Sequence, residues 1–105
     1  MTKPWRFREE ADEEVAEAYL WYHAERPGLG EELQAALESA MASLVEMPKM
    51  ASPVYTTRRG RVVRRFLLKR FPYGIVFVEL DDHFQVVAVA HLHRRPYYWR
   101  ERIER

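Results

Sequence analysis

The chain has 105 residues, 48% apolar and 31% charged, enough for one domain that buries roughly two thirds of its unfolded surface in a single core. It has no cysteine, which excludes a disulfide framework or thiolate metal site, and its four histidines lack ligand spacing, so no metal and no other cofactor is expected. The net charge of +1 hides a polarity: residues 1–50 carry 5 Lys and Arg against 11 Asp and Glu, and residues 51–105 carry 12 against 5, which predicts an acidic and a basic surface.

The N-terminus lacks the apolar core of a signal peptide, and no stretch is long enough to span a membrane, so a cytoplasmic location is expected. Lys3 to Arg8 alternates bulky apolar and basic side chains, which predicts a short strand despite Pro4. A helix follows from Glu9, with Ala11, Val15, Ala18, Tyr19 and Tyr22 on one face and Glu9 to Glu14 crowding the end that favours negative charge. Pro27 and Gly28 stop it near Glu25 or Arg26. A second helix, Gly30 to Glu46, carries the stripe Leu33, Leu37, Ala40, Met41 and Leu44, and the short connection folds the pair into a hairpin. Residues 48–60 read as a loop with a short extended piece around Val54 and Tyr55. Three strands follow at 61–69, 73–80 and 84–91, with Asp81-Asp82-His83 as a tight turn. The strand at 73–80 is apolar on both faces and belongs in the centre of the sheet. The blocks Arg64-Arg65 and Phe66-Leu67-Leu68 break alternation and predict a bulge or strong twist. The tail from Arg94 forms a short helix or crosses the sheet edge. The expected fold is α+β, one domain over residues 1–105, in the order β-α-α-β-β-β with an antiparallel sheet packed on the helical hairpin.

Arginine is seldom buried unpaired, so the arginines of the strand at 61–69 call for a solvated face, an acidic partner or a covering protein. Trp99 is expected to staple the tail to the sheet. Tyr97 and Tyr98 are adjacent, so in an extended segment one of them faces outward.

Several pieces in order carry a resemblance to a known family. They are Trp21-Tyr22, Arg26-Pro27-Gly28-Leu29-Gly30, Met47-Pro48, Val63-Arg64-Arg65, Arg70-Phe71-Pro72-Tyr73, Val87-Ala88-Val89-Ala90-His91, Arg94-Arg95-Pro96 and Trp99. The chain thereby resembles the RelE/ParE superfamily of bacterial toxin–antitoxin toxins, with Arg-Pro-Gly-Leu-Gly and Arg-Phe-Pro-Tyr closer to the ParE branch. The resemblance implies a type II toxin, held in a hetero-oligomer with its cognate antitoxin, that inhibits DNA gyrase by binding it. Arg61, Arg64, Arg65, Lys69, Arg70, Arg94, Arg95, Tyr97 and Tyr98 are then the candidate target- and antitoxin-binding residues. The RelE branch implies the alternative, a ribosome-dependent mRNA endonuclease. Arg64 and Arg65 would hold the phosphate there, and His91 with Tyr97 or Tyr98 would carry protons. Gly74 stands where that branch places an arginine, which argues against it. The third alternative is an orphan member that keeps the fold and partner binding without toxicity.

Overall fold

The computed structural model describes residues 3–104. A short strand β1 (Trp5–Phe7) leads into α1 (Glu9–Glu25) and α2 (Leu29–Glu46). A 3-10 turn (Pro48–Met50) then precedes β2 (Ser52–Thr56), β3 (Val62–Leu67), β4 (Tyr73–Glu79), β5 (Phe84–His91) and α3 (Arg100–Glu104). The strands form one sheet in the order β1-β5-β4-β3-β2, with β4 at its centre as its two apolar faces require.

The sheet differs from the expected antiparallel one in two respects. β1 pairs with β5 in parallel, Trp5 opposite Phe84 and Phe7 opposite Val86, because the whole of the rest of the fold acts as the crossover between them. The stretch read as a loop supplies an extra edge strand, β2, which accommodates Pro53 because an edge residue can do without its N–H. The irregularity expected in β3 falls on its partner. β3 pairs residue for residue with β4, whereas the β2–β3 register shifts between Pro53 and Tyr55. A second shift lies between β4 and β5, where Val76 opposes Ala88 and Phe77 opposes Val86. The extra residue, Val87, turns Val87 and Ala88 to the same face and reconciles a continuous apolar run with a two-sided core.

That core has two layers. On the inner face Ile75, Phe77, Phe84, Val86 and Val89 pack against Ala11 and Ala18 of α1 and Leu33, Leu37 and Leu44 of α2. Trp5 stacks on Phe84 at 4.8 Å and donates its indole N–H to the Met41 carbonyl at 3.2 Å, which ties β1 to α2. On the outer face Val63, Val76, Val78, Val87, Ala88 and Ala90 are covered by the tail through Trp99, Tyr98 and Ile103. Trp99 is 4% exposed, so the tail is stapled as expected.

The hairpin depends on two glycines. Gly28, at φ 88°, precedes α2 in the left-handed region, and its carbonyl accepts the Glu32 N–H. Gly30 lies so close to α1 that a Cβ there would sit 2.9 Å from both the Tyr19 ring and the Tyr19 carbonyl oxygen.

Candidate target- and partner-binding surface

The outer face carries the densest group of residues singled out in the sequence. Arg65 points to this face, opposite in sense to Arg64, and lines a cleft of about 180 Å³ with His91, Arg94, Arg95, Tyr97 and Tyr98. Gly74 makes room for this. A Cβ at Gly74 would meet Arg65 Cγ at 3.1 Å and Cδ at 3.2 Å, so the glycine lets the arginine stem cross the sheet. Tyr97 is 52% exposed and has φ 60°, a left-handed conformation unusual for a bulky side chain. Its ring lies 5.8 Å from Trp99 and 6.4 Å from Tyr55, so three aromatic rings adjoin beside the basic cleft.

Tyr98, although it borders the cleft, is tied to α1. Its hydroxyl donates to Glu14 at 2.6 Å, and its ring carries the Arg94 guanidinium at 3.9 Å and that of Arg102 at 5.1 Å. Burial, reinforced by the Glu14 carboxylate, pushes the phenol well above its ordinary range. Glu14 also accepts two bonds from Arg102, each at 3.0 Å, and the backbone N–H of Val89, while Arg102 donates to the Val87 carbonyl. β1 ends opposite Val86, so this carboxylate and guanidinium close the part of the β5 edge that β1 leaves open. Glu14 escaped the sequence reading because it stands in an acidic run. Its signal is its place on the apolar stripe, three residues after Ala11 and one turn before Ala18.

The remaining candidates, His91 of the cleft apart, are dispersed. Arg64 lies on the inner face and donates to the Ala51 carbonyl at 3.0 Å. His91 is a partly buried strand-end residue whose ring packs edge-on against Tyr73 and whose Nδ1 accepts the His93 N–H. Arg70 pairs with Glu32 at 2.6 Å, across to the acidic hairpin. That pair and Arg26 hold the Glu32 carboxyl below its usual value, the Arg70 bond first. Lys69 and Arg70 rim an apolar groove between α2 and the end of β3, lined by Ala36, Ala40, Met50, Phe66 and Leu68. Arg61 belongs to the β2–β3 turn at the far end of the sheet. Among the described residues no cluster of three or more His, Asp or Glu is placed to hold a metal, and no helix is long and apolar enough to cross a membrane.

The small α+β scaffold exposes a basic aromatic face on one side and an apolar groove on the other. The chain belongs to the ParE toxin family of type II toxin–antitoxin systems, parDE, whose family model matches residues 5–96. Among solved structures it is similar to a chain of the chromosomal ParDE toxin–antitoxin system from P. aeruginosa, with a TM-score of 0.69 and 13% identity over 88% of this chain and 98% of that one. At that identity the likeness speaks for the fold. Among curated protein sequences none matches significantly. Tyr97, Tyr98, Trp99 and α3 lie beyond the residues the family model matches.

Proposed function

We propose that this toxin poisons DNA gyrase by binding, without turning over a substrate, and that a cognate antitoxin neutralises it. Membership of the ParE family supports the class of target. The observation that carries the no-turnover reading is the prior engagement of two of the three proton carriers, which leaves Tyr97 beside Arg65. The Tyr98 hydroxyl is committed to Glu14, and the His91 Nδ1 to a backbone N–H. Arg64 lies across the sheet from Arg65, so the pair cannot grip one phosphate together. What stays presentable is an aromatic and arginine surface, the composition of an interface anchor. Arg65, Arg95 and Tyr97 are the residues we assign to target contact.

The antitoxin fits the opposite surface. The groove between α2 and β3 is apolar, and Lys69 and Arg70 at its rim suit a segment that alternates apolar and acidic residues.

The test is brief induction of the chain alone in a bacterial host, followed by pulse labelling with thymidine and methionine in parallel and a supercoiling assay with purified gyrase. Thymidine incorporation is expected to fall first, and supercoiling to be inhibited. An early fall in methionine incorporation with supercoiling intact would replace this reading by the endonuclease one. If neither falls while the protein is folded, the chain is a non-toxic member.

A further inference from the structure

We infer that the far end of the outer face is a second, separate binding site, for the phosphodiester backbone of a nucleic acid. A cleft of about 380 Å³ opens between the β2–β3 turn, the start of β5 and α3. Five arginines line it, Arg8, Arg58, Arg59, Arg61 and Arg102, against the single carboxylate of Glu104. Arg102 is neutralised by Glu14 and Arg8 lies beside Glu10, so the free charge comes from Arg58, Arg59 and Arg61, a local excess of two over Glu104 in a protein of net charge +1.

The cations are held in place. Thr57 donates its N–H to the Arg61 carbonyl at 2.8 Å, and its own carbonyl accepts the Gly60 N–H at 2.9 Å. The Thr57 hydroxyl oxygen accepts the Arg61 N–H at 3.0 Å, and Gly60 at φ 85° supplies the left-handed residue such a turn needs. From the opposite wall Glu104 accepts the Arg58 N–H at 3.2 Å and the Tyr55 hydroxyl at 2.7 Å, docking the turn on α3. The turn therefore presents its arginines on a braced backbone, which lowers the ordering cost of binding.

The bonding capacity of the turn's own arginines is unspent. Arg59 and Arg61 have no ion-pair partner among the described residues, and Arg58 makes only a 3.7 Å contact to Glu104. Arg8 and Arg102 form the floor of the cleft and are engaged by Glu10 and Glu14. An acceptor entering the cleft meets the planar forks of Arg58, Arg59 and Arg61, the geometry that phosphate oxygens satisfy in pairs. An acidic peptide would seek apolar pockets as well as charge, and eight of the eleven lining residues are polar or charged. Phosphodiester recognition needs only the dense cation set. This site is independent of the Arg65–Tyr97 surface and does not rest on the gyrase reading.

The test uses the full chain without gyrase, titrated onto a fluorescent mixed-sequence DNA duplex over a range of salt. Binding is expected, with affinity falling steeply as salt rises. An Arg59→Ala/Arg61→Ala double variant should bind roughly ten-fold or more weakly, with a salt slope smaller by about two, as expected for two lost phosphate contacts. Both side chains are exposed, so the variant should unfold at the wild-type temperature. The control is Lys69→Ala/Arg70→Ala, which removes equal charge at the other groove. Equal weakening by the control would reduce the effect to net charge and overturn the site. Absence of binding at low salt would overturn it as well. Displacement of the duplex by polyglutamate at equal charge concentration would reassign the cleft to an acidic protein.

Discussion

At the scale of single residues, Glu14 does more than any group the sequence singled out. Its carboxylate is 13% exposed and serves two side chains and one strand-edge N–H at once. Its partner Arg102 is 14% exposed, so removing the carboxylate leaves a mostly buried guanidinium without its counterion. Glu14→Ala should therefore cost about 3–5 kcal/mol, in line with other broken buried pairs. Tyr98→Phe, which deletes one hydrogen bond to a charged group, should cost about 1.5–3 kcal/mol. Combined, the two should cost less than their sum, since each deletion removes the same bond. Urea denaturation of the three variants measures this. A Glu14→Ala loss under about 1 kcal/mol would mean that solvent replaces the network and that the tail is held by Trp99 alone. The same residue shows a limit of sequence reading. A carboxylate within an acidic run looks like dipole complementation, and its distant partners lie 75 to 88 residues away.

At the scale of elements, what could be read locally agrees with the structure. The period of α1 and α2, the two-sided apolarity of β4 and the turn at Asp81-Asp82-His83 each depend on neighbours in the chain. What depended on distant partners could not be read. Nothing in Trp5-Arg6-Phe7 names β5 as its parallel neighbour, and Pro53 disguised an edge strand as a loop. The Arg64-Arg65 block predicted a bulge or strong twist because it breaks the alternation of apolar and polar residues. The two arginine side chains part instead, one to Ala51 and one to the outer cleft. The Arg-Pro-Gly-Leu-Gly motif, legible as a signature, has a physical basis at both glycines. Gly30→Ala would force a methyl to within 2.9 Å of a backbone oxygen, which cannot swing aside like a side chain. The helices must then separate, and the expected loss is about 1–3 kcal/mol despite alanine's better helix propensity. Thermal unfolding of the purified variant checks it. An unchanged or raised melting temperature would show that the hairpin relaxes freely and that Gly30 is not what sets its spacing.

At the scale of the whole molecule, the charge polarity seen in the sequence resolves into two populations. Some basic residues neutralise the acidic hairpin, Arg70 and Arg26 on Glu32 and Arg102 on Glu14. Others, including Arg59, Arg61, Arg65, Lys69 and Arg95, have no ion pair among the described residues and remain available to partners. The tail belongs to both the fold and the surface, which decides how its role can be tested. Ending the chain before Arg94 would strip Tyr98, Trp99 and Ile103 from the outer cluster, so lost toxicity would report lost folding. Tyr97 separates the two roles. It is exposed, and a left-handed conformation costs a bulky residue roughly 1–2 kcal/mol that glycine does not pay. Tyr97→Gly relieves that strain but forfeits the ring contacts with Trp99 and Tyr55, worth about 0.5–1.5 kcal/mol each. The two effects oppose, so stability should change by less than about 1 kcal/mol. If Tyr97 is held in this conformation to meet the target, the same variant should inhibit gyrase supercoiling roughly ten-fold or more weakly, as loss of an aromatic anchor does. Full inhibition by a folded Tyr97→Gly protein would remove the tail from the target surface and leave Arg65 and Arg95 to account for binding.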